Sequence, residues 1–145
     1  MSLLDFTNAL TTAWEAVVPT TDPRRRFRRI EKPGRGGASR HRGFWFDPAS
    51  YSVGEIEQQG AGHILRHYDF EARVGFYIPD RMSAEFEGLY LDELALTLAA
   101  VAMPRPNNVI APRVLSAGVR ATPGAGDGDF DLVIKCDCRV REAVV

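Results

Sequence analysis

Residues His63 to Ile78 read HILRHYDFEARVGFYI, and their spacing decides the fold. Ile64, Tyr68, Phe70, Ala72, Val74, Phe76 and Ile78 share one parity, with Arg66 the only charge among them. His63, His67, Asp69, Glu71, Arg73 and Tyr77 hold the other. A period of two sends successive side chains to opposite faces of a pleated strand. One face is apolar and the other polar, the pattern of an antiparallel sheet covered on one side. The run exceeds the usual strand length of about five or six residues, so an overhang beyond the sheet is expected at one end.

The remaining segments read as partners or cover for this strand. Asp129 to Val140 alternates as sharply, with Phe130, Leu132, Ile134, Cys136, Cys138 and Val140 inward and Asp129, Asp131, Lys135, Asp137 and Arg139 outward. Val109 to Ala121 forms a hairpin with it; Val109, Ala111, Leu115, Ala117, Val119 and Ala121 share a parity, broken by Arg113. Leu3 to Val18 places Leu3, Phe6, Leu10, Ala13, Trp14 and Val17 at three- and four-residue spacing, an amphipathic helix that Pro19 ends. Trp14 reads as an anchor on the sheet. A second helix is expected from about Arg81 to Met103, capped by Asp80 or Ser83 and stopped by Pro104 and Pro106. Its stripe comprises Phe86, Leu89, Tyr90, Leu94, Leu98 and Val101, widened by Leu91, Leu96, Ala95, Ala99 and Ala100.

The region between these elements is strongly basic. Arg24 to Arg42 carries eight Arg and one Lys against Glu31, a charge of +8, while the rest of the chain is −9 and the whole is −1. RRRFRRIE (Arg24 to Glu31) reads as an edge strand or extended arm, KPGRGGASR (Lys32 to Arg40) as a Gly-rich tip, and HRGFWFD (His41 to Asp47) as a returning strand. Together they suggest a protruding basic hairpin over residues 24–47. Pro48 to Gly62, with turn residues Pro48, Ser50, Ser52, Gly54 and Gly60, reads as a connection. The expected architecture is α+β: one mainly antiparallel sheet with two helices on one face, in the order α-β-β-β-α-β-β, as a single domain over residues 1–145.

Composition sets further bounds. With 45% hydrophobic and 26% charged residues, the chain has an ordinary globular balance. No apolar run approaches the ~20 residues of a membrane span. The first residues, MSLLDFTNALTTAWEAVV, lack the basic and unbroken apolar regions of a secretion signal, so cytosolic production is expected.

Chemistry-bearing motifs are lacking. His63 and His67, four apart on a strand, stand roughly 13 Å apart at ~3.3 Å per residue and cannot share a metal. With His41 they read as polar-face residues. Cys136 and Cys138 point the same way from one strand, a poor geometry for a disulfide, and read as small core residues. The Asp127, Asp129, Asp131, Asp137 series lacks the other ligands of a calcium loop. The glycines fit no phosphate-binding signature. No enzyme activity, cofactor or metal is expected.

The basic segment is the functional candidate, through Arg24, Arg25, Arg26, Arg28, Arg29, Arg40 and Arg42. Three roles suit it: contact with an acidic surface of a second copy, binding of nucleic-acid phosphates with Phe27, Phe44, Trp45 and Phe46 stacking on unpaired bases, or a solvated arm.

The sequence of helix (Leu3 to Val18), basic hairpin (Arg24 to Asp47), long strand (His63 to Ile78), helix (Arg81 to Met103) and closing hairpin (Val109 to Val140) resembles the tail terminator and related head-to-tail joining proteins of long-tailed bacteriophages. The resemblance is one of pattern and covers most of the chain. It implies a homo-hexameric ring that caps the tail tube, contacts tube and neck or connector proteins, and surrounds passing DNA. The location it implies is the tail–neck junction of a virion, assembled in host cytoplasm. An extended hairpin reaching an adjoining subunit would be its assembly device, and it carries over no catalytic residue. The rival expectation is a single-stranded nucleic-acid binding module.

Overall fold

A computed structural model describes residues 2–19, 22–31, 40–58, 62–79, 84–102, 109–121 and 128–143. These form helix α1 (Ser2–Glu15), strands β1 (Arg28–Arg29), β2 (Gly43–Gln58) and β3 (His63–Tyr77), helix α2 (Ala84–Ala102), and strands β4 (Val109–Ala121) and β5 (Asp129–Ala143). The strands make one sheet in the order β1-β2-β3-β5-β4. Three of its pairings are antiparallel, but β1 runs parallel to β2, so the sheet is mixed. The fold is α+β. Among the described residues no helix is long and apolar enough to cross a membrane.

The long alternating strand is the spine. β3 pairs with β5 from His63↔Ala143 to Tyr77↔Asp129 without a slip. On its other side it pairs with β2 from Gln58↔Ile64 to Phe44↔Val74, so the expected overhang is absent. Along β5, Phe130, Leu132, Ile134, Cys136, Cys138 and Val140 are all buried. They meet Phe70, Ala72, Val74, Phe76 and Ile78 beneath the helices.

β2 corrects the expected connection from Pro48 to Gly62. Between Asp47 and Ser52, five residue steps on β2 answer two on β3, and a second slip follows between Val53 and Ile56. Pro48 has no N–H for a ladder and Gly54 has no side chain to pack, so both suit bulges. The turn residues interrupt the strand without ending it. β4 also slips twice, between Ile110 and Arg113 around Pro112, and between Val114 and Ser116. The second slip brings Val114 against the core in place of Leu115, which is 50% exposed.

The helices cover one face. Phe6, Leu10 and Trp14 of α1 are buried, and the Trp14 indole N–H donates to the Leu96 carbonyl of α2 at 3.0 Å. Trp14 stands edge-on to Phe44 at 5.3 Å and stacks near Phe46 at 6.0 Å. Such ring pairs add about 0.5–1.5 kcal/mol each beyond area burial. On α2 the buried stripe is narrower than expected. Leu89, Asp92 and Leu96 face in, while Tyr90, Leu91 and Leu94 are each about half exposed. The side chains of Phe86, Leu98 and Val101, the caps Asp80 and Ser83, and the tip at residues 32–39 lie outside the described residues.

The sheet's other face is not uniformly wet. Asp129, Asp131, Val133 and Trp45 are buried there, correcting the outward reading of the two aspartates. Arg40 lies across this face over Gly75. A Cβ on Gly75 would stand 2.7 Å from Arg40 Cγ and 2.9 Å from its carbonyl oxygen, inside van der Waals contact. Gly75→Ala should therefore cost roughly 1–3 kcal/mol through overpacking. Urea denaturation should show a lower midpoint with an unchanged m-value.

Candidate functional site

Of the two readings of Arg24 to Glu31, edge strand or extended arm, the structure has the first: Arg28–Arg29 form the edge strand β1, and the described residues around them fold onto the body. Phe27, 1% exposed, packs edge-on to Phe76 at 6.1 Å and fixes its neighbours. Arg24, Arg26, Arg28 and Arg29 remain exposed, and Arg25 is half-buried. Arg26 donates to the carbonyls of Ala16 and Val17 at 3.3 and 3.2 Å, placing a cation at the negative end of α1. Arg29 lies over the Phe46 ring at 4.9 Å and donates to Thr11 Oγ1 at 3.2 Å. Arg28 donates to the His41 carbonyl at 3.1 Å. The edge is therefore cationic and held in place by neutral oxygens of the same chain.

Residues 40–42 do not form the returning strand of a basic hairpin. β1 and β2 lie parallel, as Arg28↔Gly43 and Arg29↔Phe44, so the chain crosses over between them. Within residues 24–47, Arg28 and Arg29 pair with the sheet and Phe27, Arg40 and Arg42 are buried, while the tip over 32–39 lies outside the described residues. At the crossover Arg42 adopts a left-handed backbone, φ 62°. Its N–H donates to the Gly75 carbonyl at 2.7 Å, and its carbonyl accepts from Arg28 N–H at 3.0 Å. This one residue ties β1 to the end of β3.

The side chains of Arg40 and Arg42 leave in opposite directions. Arg42, 2% exposed, goes beneath the helices. It donates to the carbonyls of Asp22 and Arg25 at 2.8 and 2.9 Å and pairs with Asp92 Oδ2 of α2 at 3.5 Å. Arg40, 4% exposed, crosses the open face. It pairs with Asp131, lies 5.1 Å from the Trp45 ring, and shares Asp131 with Arg73, whose guanidinium is 3.7 Å from Oδ2. Two expected surface arginines are thus internal clamps. A buried guanidinium offers nothing to a phosphate or a neighbouring subunit, which leaves Arg24, Arg25, Arg26, Arg28 and Arg29 as the surface set.

A cavity of about 100 Å³ beside the Arg42–Asp92 pair is lined by Asp22, Arg25, His41 and Phe76. His41 departs from the polar-face reading. Its ring stands edge-on to Phe76 at 5.7 Å, and Nδ1 accepts the Tyr77 N–H at 3.0 Å. Burial, then the nearby Arg42 and Arg25 charges, lower its pKa from 6.5 to about 4. The imidazole is neutral near pH 7 and acts as a backbone hydrogen-bond acceptor. His63 is exposed and His67 half-buried on the polar face. Cys136 and Cys138 are free and buried, and burial pushes both thiols up to about 12, so they are inert core residues at neutral pH.

Phe27, Phe44, Trp45 and Phe46, proposed as stacking rings, are all buried at 0–8% exposure. Among the described residues none of these four rings offers the surface arginines a base-stacking platform. The described residues contain no group of three or more His, Cys, Asp or Glu able to hold a metal ion. Compared with known proteins, the chain matches no family model and no curated protein.

Two outcomes follow from this geometry. Asp92→Leu or Arg42→Met alone leaves an uncompensated buried charge and should cost roughly 3–5 kcal/mol, whereas the double variant should cost far less than both together. A double-mutant cycle by chemical denaturation measures this. Because folding depresses the His41 pKa, its contribution to stability is fully present above pH 6.5 and is lost as pH falls toward about 4. His41→Asn retains an acceptor without titrating there. Its stability, measured by urea unfolding from pH 7 to 4.5, should fall less steeply with acid than the wild type's.

Proposed function

We propose that this chain is a non-enzymatic structural protein, a tail terminator of a phage or phage-like particle. It works as a homo-oligomeric ring, a hexamer by the resemblance, that caps the tail tube and joins it to the neck at the tail–neck junction. The carrying observation is the cationic edge. Arg24, Arg26, Arg28 and Arg29 are exposed together at one margin of a single open sheet in a chain whose remainder is acidic. Opposite charge on the same surface favours contact between copies, and a head-to-tail contact closes into a ring when its rotation permits.

The sheet margins support the same reading. Among the described residues β4 pairs with β5 alone, and β2 beyond Phe44 pairs with β3 alone. Long open strand edges invite uncontrolled pairing unless something covers them. A ring neighbour provides that cover. The nucleic-acid alternative retains arginines for phosphate but loses its stacking rings to the core.

Reversing Arg24, Arg26 and Arg28 to Glu should abolish association while leaving the far-UV circular dichroism spectrum unchanged. Analytical ultracentrifugation and electron microscopy read the result. Rings of normal size from that variant would overturn the assignment. Tight salt-sensitive binding of single-stranded DNA by the wild type, with no self-association, would favour the alternative.

A further inference from the structure

The margin opposite β1 has a different chemistry. Tyr90 and Leu94 of α2 and Leu115 of β4, each 50–55% exposed, border a groove of about 440 Å³ with Glu93 in its wall. The bulge at Leu115 creates this opening, since it turns a large apolar side chain out of the strand's inward row. α2 contains four acids, Glu85, Glu87, Asp92 and Glu93, and no base. Asp92 is committed to Arg42, while Glu87 is exposed and Glu93 half-buried. The helix side of this margin is therefore apolar with an acidic border, while the exposed Arg113 and Arg120 of β4 stand on the sheet side, Arg113 paired with Asp137.

The β1 margin is its complement. Val18 is 58% exposed just past α1, and the Arg26 guanidinium sits on the neighbouring Ala16 and Val17 carbonyls. Arg24 and Arg28 extend the positive charge. The strand order puts β1 and β4 at opposite ends of the sheet. A two-fold contact of either margin with itself would set arginine against arginine, or acid against acid. Head-to-tail contact joins unlike charges, places apolar surface on apolar surface, and repeats from copy to copy as a ring requires.

We infer that the α2–β4 groove receives the β1 margin of a second copy, with Val18 against Leu94 and Leu115 and with Arg26 and Arg28 facing Glu93 and Glu87. The inference rests on the ring reading, of which it supplies the receiving surface. Arg28→Cys and Glu93→Cys, made in separate copies and mixed with a short bismaleimide, test it. The native thiols are buried and protonated and should not react. The mixture should give a cross-linked dimer and neither variant alone should. The double variant should give a ladder ending at the copy number of the ring. Leu94→Glu, at an exposed position, should sediment as a folded monomer.

Cross-linking of Arg28→Cys to itself, or wild-type association by Leu94→Glu, would overturn the groove. Rings that persist in Leu94→Glu would sink the groove and spare the ring reading. Association through the groove into dimers or open filaments would do the reverse. A wild type that stays monomeric at its highest soluble concentration, without cross-links, would overturn both.

Discussion

Two arginines two residues apart straddle one end of the sheet, and much of the structure follows from their need for partners. Arg42 passes under the helices to Asp92, and Arg40 passes over the open face to Asp131. A buried guanidinium without a carboxylate is too costly to persist, so each pairing constrains the element that carries its acid. Asp92 fixes the turn of α2 that faces the sheet. Asp131 fixes the start of β5 against the crossover. Gly75, lying under Arg40, permits the approach because it has no Cβ to obstruct it. The crossover in turn sets the parallel β1–β2 contact and so the position of the surface arginines.

This changes how the chain's charge is understood. The +8 of the basic segment is not one outward-facing field. Part of it is consumed inside, at Arg40 and Arg42, and the aromatic residues among those cations belong to the core. Among the described residues, what remains outside is a margin in which Arg26 and Arg29 are held against α1 by neutral oxygens. Held side chains lose less conformational entropy in forming a contact than free ones do. A pre-set cationic edge is better suited to a repeated protein contact than a loose arm is.

The parts legible in the sequence were those with local periodicity. The alternation of β3 and β5 identified the spine and its buried face, and the spacing of Phe6, Leu10 and Trp14 identified α1. Arg40 and Arg42 were not legible because nothing in a basic run distinguishes a buried charge from an exposed one. Their acids lie 91 and 50 residues away. One signal was available: Asp92 falls between Leu89 and Leu96 on the inward stripe of α2, where an acid implies a buried cation. Asp131 gave none, since its parity is that of a polar face. β2 was missed beyond Asp47 because its turn-forming residues lie within bulges, and bulges break the period that reveals a strand.

The strand order also governs when the sheet can be completed. β4 precedes β5 in the chain, yet its described backbone partner is β5, which separates it from β3. During synthesis β4 emerges with no strand to join, while β2 and β3 can already zip together as neighbours. β5 must then insert between β3 and β4, satisfying both ladders at once. The last strand of the sheet to leave the ribosome is therefore its keystone, and until it arrives one flank of β3 and the β5-facing edge of β4 have no ladder partner.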